Sequence, residues 1–232
     1  MAPQHRTNSG IPSLPPALTT LLGALFVLYA AELATQSVGR INLNWLLWKP
    51  FGLGFHPYQL VTRYFIQGPA VLNVFIELIV LAFFAPTLMR ALPPRKLAQA
   101  MLATAAGGTL LGLLVDVTGL TGGYANGWSV FVAAGIALFG LLQPEATILL
   151  FFVLPVPAKL LTWGTLAMAL LNFLATPSLA AADYLGSILG LIAWWYGVGP
   201  GARRRPATRP RGSKGGFHVL QGGRNRGDDM IH

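Results

Sequence analysis

Four acidic residues of this 232-residue chain, Glu32, Glu77, Asp116 and Asp183, lie in or beside apolar runs. A carboxylate is costly there unless it faces a partner or a cavity. Glu77 stands well inside one run, and Asn73, four residues earlier, shares its helical face. Two readings stay open for this pair. Glu77 is a structural acid hydrogen-bonded to Asn73 or a neighbouring helix, or both belong to a polar cluster with Ser129 and Asp183. Ser129 follows Gly127 at the start of another run. A serine there ordinarily caps the helix, but the same hydroxyl could act as a nucleophile. Asp183 adjoins a small-residue stripe of Ala182, Gly186 and Gly190, and Ser129, Ala133 and Ala137 repeat that four-residue spacing. Such stripes let membrane helices approach closely. Packing one on the other would bring Ser129 within reach of Asp183.

The elements that would position these groups are membrane helices. Of the residues, 54% are hydrophobic and 10% are charged, against about a quarter charged in soluble domains. Apolar runs suited to roughly 30 Å of hydrocarbon recur along the chain. The pattern predicts an all-α polytopic membrane protein with six transmembrane helices at about 17–36, 70–89, 97–117, 128–142, 159–175 and 182–197. The first run lacks a clear small-x-small cleavage site and is read as a retained helix rather than a signal peptide. Residues 37–68 carry Trp45, Trp48, Tyr58 and Tyr64 among Gly and Pro, which predicts an interfacial, partly embedded loop. Residues 143–158 are broken by Pro144, Pro155 and Pro157 and predict a connection at the membrane surface. Segment 1–16 and the basic tail 198–232 flank the membrane domain 17–197, and the tail is too polar and too rich in Gly and Pro to fold.

Six spans put both termini on one side. With them in the cytoplasm, thirteen Lys and Arg residues lie inside and only Arg40, Lys49 and Arg63 lie outside, as the positive-inside rule favours. The +9 net charge comes mostly from the tail. Its Arg203-Arg204-Arg205 cluster is a candidate for anionic lipid headgroups, or a stop-transfer signal only. Nucleic acid is not an expected partner. The chain has no cysteine, so thiolate metal sites and disulfides are excluded. No metal or cofactor is expected.

Several stretches within 17–197 resemble the rhomboid superfamily of intramembrane serine proteases. Pro57-Tyr58-Gln59-Leu60-Val61-Thr62 is similar to its Pro-Trp-x-x-x-Thr element, and Phe83-Phe84-Ala85-Pro86-Thr87-Leu88 to the close of its second helix. Gly127-Trp128-Ser129-Val130 resembles its Gly-x-Ser-Gly, and Leu154-Pro155-Val156-Pro157 its Pro-x-Pro turn. Asp183-Tyr184-Leu185-Gly186, with Gly190, resembles the His-x-x-Gly-x-x-x-Gly of its last helix. The resemblance implies a six-helix rhomboid-like bundle with Ser129 as nucleophile and Asp183 in place of the histidine. It also sets Asn73 and Glu77 on the family's His-x-x-x-Asn oxyanion pair.

That exchange decides the functional expectation. An aspartate of ordinary pKa near 3.9 is a poor base for a serine hydroxyl and carries no proton for a leaving amine at neutral pH. His5, His218 and His232 lie in the tails and His56 in the first loop. The expectation is a catalytically impaired pseudoprotease of a bacterial inner membrane that binds transmembrane segments of client proteins between its second and fifth helices. The alternative is an active intramembrane serine endopeptidase pairing Ser129 with Asp183. A third is a small transporter or proton relay through Glu77 and Asp183, although no internal repeat supports it.

Overall fold

The computed structural model describes residues 16–37, 43–68, 70–119, 122–150 and 154–204. Segment 1–15, Arg40 and the tail from 205 on, with Arg205, His5, His218 and His232, lie outside the described residues. The chain is predominantly helical. Its principal elements are α1 (Pro16–Ser37), α2 (Gln59–Thr62), α3 (Val71–Ala91), α4 (Pro94–Val117), α5 (Ser129–Leu142), α6 (Lys159–Ala175) and α7 (Leu179–Gly197). Four of these, α1, α3, α4 and α7, are long and apolar enough to cross a membrane. At 14 and 17 residues, α5 and α6 are shorter.

Local sequence explains the boundaries. Leu92 and Pro93 are extended between α3 and α4, and Pro94 opens α4 in the first turn, where its missing N–H is harmless. Helix α7 starts at Leu179, three residues before the sequence-predicted start. Ser178 is its N-cap, and the hydroxyl accepts a hydrogen bond from the Ala181 N–H at 3.2 Å. The expected serine cap of α5 is absent. Trp128 occupies the N-cap position without a side-chain cap, and Ser129 is already helical.

Two connections differ from expectation. Residues 143–158 contain an antiparallel hairpin, β1 (Thr147–Leu150) with β2 (Leu154–Pro157), pairing Thr147 with Pro157 and Leu150 with Leu154. Both prolines fit because a two-stranded ribbon has only edge strands. The loop 43–68 is built from short helical turns and is pinned to the 122–127 segment by reciprocal Trp48–Ala125 backbone hydrogen bonds of 3.1 Å. Its Trp48 is fully buried within the protein, whereas Trp45 is 53% exposed as an interfacial residue would be. Pro200–Arg204, assigned by sequence to the unfolded tail, forms a 3-10 turn against Trp195.

The dominant helix pair is α4 with α7. An added Cβ on Gly107 would lie 2.3 Å from the Gly186 carbonyl oxygen, and one on Gly190 2.3 Å from that of Ala103. The backbones therefore touch. The small-residue stripe of α7 faces α4 at this contact, not the Ser129–Ala133–Ala137 stripe of α5. Helix α5 sits centrally with contacts to α3, α4, α6 and α7, and α1 leans mainly on α3.

Candidate functional site

Asp183 is one turn inside α7 and 3% exposed. Its Oδ1 meets Arg63 Nη2 at 2.9 Å, in an ion pair buried on both sides. Arg63 comes from the loop turn that follows α2 and is fully buried. Its guanidinium lies over the Trp48 ring at 4.2 Å and the Tyr64 ring at 4.5 Å. It also donates to the Tyr64 hydroxyl and, at 3.1 Å, to Thr109 Oγ1 of α4. Burial raises the Tyr64 hydroxyl above its ordinary pKa, with Arg63 pulling the other way. The tyrosine therefore stays protonated at neutral pH.

Glycines in α4 make room for this cluster. A Cβ on Gly108 would fall 2.2 Å from Asp183 Oδ1 and 2.3 Å from Ser187 Oγ, and one on Gly112 would fall 2.3 Å from the Trp48 ring. Larger residues at either position would expel the acid or the indole. Sequence reasoning counted Arg63, in the first loop, among the charges on the outer side of the membrane. The structure keeps it in that loop and makes it the counter-ion of Asp183.

Glu77 has different partners. Its Oε2 accepts from Gln67 Nε2 at 3.0 Å, and the Trp128 indole and Tyr184 lie on its side of the bundle. Gln67 is held by its backbone. Its N–H donates to Glu32 Oε2 at 2.8 Å, and the Gly68 N–H donates to Glu32 Oε1 at 2.7 Å. The Gln67 side-chain oxygen occupies the space a Cβ of Gly127 would take, 2.3 Å from that position, and Ser129 Oγ is 3.6 Å from the same point. Gly127 has φ +89° and keeps this space open because it is glycine. The side-chain amide of Gln67 thus lies over the start of α5 between Ser129 and Glu77. Sequence reasoning did not single out Gln67.

The structure does not gather the sequence-predicted residues into one constellation. Gly127, Ser129 and Glu77 share the neighbourhood of Gln67. Asp183 faces Arg63 and α4. Asn73 is on the exposed side of α3, so it does not join Glu77 despite the helical spacing. Ala182 is fully buried, and Gly186 and Gly190 form the α4 contact. Among the described residues, no hydrogen bond joins Ser129 to Asp183 or to Glu77. No group of three or more possible metal-ligating His, Asp or Glu side chains occurs among them. Asp116, the remaining acid within the helices, accepts from the Phe51 N–H at 3.0 Å and anchors the first loop.

A cleft of about 440 Å³ lies beside this neighbourhood, lined by Met168, Leu171, Asn172 and Ala175 of α6 and Tyr184 of α7. Both α3 and α6 pack on α5, whereas they make no extensive contact with one another. No protein-family model, curated protein or solved structure matches this chain.

Proposed function

We propose that the chain is a six-span rhomboid-like protein of a bacterial inner membrane, with both termini cytoplasmic. In this reading it holds transmembrane segments of client proteins and does not cleave them by serine–histidine chemistry. The observation that carries the proposal is the Arg63–Asp183 pair. At the position where the resembled family has its histidine, the carboxylate is committed to a buried guanidinium. Taking a proton from a serine would leave that guanidinium unpaired in a low-dielectric site, a penalty of several kcal/mol. Asp183 is therefore a scaffold residue that anchors the first loop.

Client binding draws support from the cleft beside Tyr184 and from the lack of extensive contact between α3 and α6. A segment entering there would meet Gln67, Glu77 and Ser129 as polar groups for any helical backbone left unpaired. The six-span reading requires α5 and α6 to cross despite their length. Helix α5 is mostly buried, so its ends would meet protein rather than lipid. Arg90, Arg95, Lys96 and Lys159 fall on one side and Lys49 on the other. Arg63, enclosed in its ion pair, drops out of that surface count.

Liposome-embedded protein treated with a fluorophosphonate serine probe, beside its Ser129→Ala variant, tests the proposal. The expected result is no labelling while an active rhomboid control is labelled. A photo-crosslinkable transmembrane peptide should be captured equally by both forms. Labelling that disappears in Ser129→Ala would overturn the pseudoprotease reading in favour of an active serine endopeptidase. Loss of capture in an unlabelled protein would remove the client-binding reading.

A further inference from the structure

A second cavity lies on the other side of α3. It measures about 300 Å³ and is lined by α1, α3, α4 and α5, with Leu25, Leu88, Met89, Leu97, Met101 and Gly135 around it. The lining side chains are apolar apart from the Trp128 indole at one end. Water needs two to four polar partners to occupy a cavity, and apolar cavities of roughly half this volume stay dry and take up small hydrocarbons. An occupant must therefore be hydrocarbon along most of its length. In a membrane the abundant hydrocarbon is the lipid acyl chain.

Charge at the cavity's end specifies more. The lining residues Met89 and Leu97 flank the α3–α4 turn, and between them in sequence stand Arg90 at the end of α3 and Arg95 and Lys96 at the start of α4. Arg90 and Arg95 are exposed. Lys96 reaches across to donate to the Val198 carbonyl at 3.4 Å, which holds its ammonium at the same end of α7. No acidic residue lies in the turn. Three cations immediately follow the walls of a hydrocarbon slot, which suits an anionic group joined to an aliphatic chain.

We infer that this is a binding site for an anionic phospholipid, with one acyl chain in the cavity between α1, α3, α4 and α5 and the phosphate on Arg90, Arg95 and Lys96. The site is separate from the Ser129 neighbourhood and holds whether or not the protein captures clients. It adds an anionic-lipid contact at the α3–α4 turn to the one expected at the tail.

Native mass spectrometry of the full-length protein in detergent, with added phosphatidylglycerol or phosphatidylcholine of matched chains, tests both halves of the site. The unaltered protein should retain phosphatidylglycerol preferentially. Arg90→Gln/Arg95→Gln should reduce that preference about fivefold per cation removed, as expected for charges worth roughly 1 kcal/mol each near a headgroup. Both residues are exposed, so the variant keeps its fold. Gly135→Leu should lose most of the retained lipid of either kind. A Cβ there meets only Leu88 Cδ1, at 3.7 Å, so the side chain grows into the cavity. Equal retention of the two lipids by the unaltered protein would overturn the headgroup assignment. Undiminished retention in Gly135→Leu, with an unchanged melting temperature, would show that the lipid is peripheral and overturn the acyl-chain assignment.

Discussion

The face joining α4 to α7 and the edge where α1 leans on α3 are built on opposite principles. Along the first, glycine backbones touch, the first loop inserts Trp48 and Arg63, and an ion pair is sealed inside. Along the second, contacts are sparse, an apolar cavity separates the helices, and α1 is fastened through Glu32 to two backbone amides of residues 67 and 68. Geometry at the first face leaves no tolerance for added atoms. The second keeps an open apolar cavity, and both it and the cleft beside Tyr184 lie away from the glycine face.

The largest effect should come from removing the counter-ion at the tight face. Arg63→Ala leaves Asp183 buried and unpaired and should cost about 3–5 kcal/mol of stability. The unfolding midpoint in a detergent titration measures this. Arg63→Met/Asp183→Leu, which removes both charges, should recover much of the loss, because replacing a buried pair by apolar groups is often neutral or stabilising. A loss below about 1 kcal/mol in Arg63→Ala, the value of an exposed pair, would mean that water reaches the pair and that the face is not sealed.

Next comes the helix contact itself. Gly190→Leu must push α4 from α7, since its Cβ would sit 2.3 Å from the Ala103 carbonyl oxygen. Overpacking of this kind costs about 1–3 kcal/mol, occasionally more. Gly164→Leu on α6, where a Cβ meets nothing within 4 Å, is the matched control. It should gain up to about 1 kcal/mol from helix propensity alone. Thermal melts of the two variants should move in opposite directions. Equal shifts would contradict the difference in packing.

The two regions were not equally legible in the sequence. Hydropathy located the four long helices, because that signal is local. The Ala182–Gly186–Gly190 stripe announced a close approach but carried no address. The matching small residues, Ala103, Gly107 and Gly108, were visible in α4, yet a four-residue spacing also fits α5. Which stripes meet depends on how the loops bring the helices together. The burial of Arg63 was missed for a related reason. A buried carboxylate demands a cation, and only Arg40, Lys49 and Arg63 shared its side of the expected topology, but the rule for loop charges treats each as solvated. The aromatic neighbours Trp48 and Tyr64 were the available sign that this one is enclosed. Asn73 and Glu77 share a face on an ideal helix, but spacing does not say which face the bundle covers. Gln67 carried no local signal, since its position depends on Glu32, thirty-five residues away.

The smallest effect on global stability should arise at the loose edge. Glu32 is 3% exposed, and its two oxygens accept from Gln67 N–H, Gly68 N–H and Gln36 Nε2. Glu32→Gln keeps one carbonyl oxygen and replaces the other acceptor by a donor, so at least one backbone amide loses its partner. A lost hydrogen bond to a charged acceptor is worth about 1.5–3 kcal/mol. Most of that should appear locally, because sparse contacts let residues 66–68 open without parting α4 from α7. Hydrogen exchange at Gln67 and Gly68 should accelerate, while the global midpoint shifts by less than in Gly190→Leu. With the segment released, the Gln67 amide also leaves the space over Gly127, and Ser129 becomes more accessible. A global shift as large as that of Gly190→Leu would mean that the loose edge and the glycine face unfold as one cooperative unit. In that case the client entry proposed at α3 could not be separated from the integrity of the α4–α7 pair.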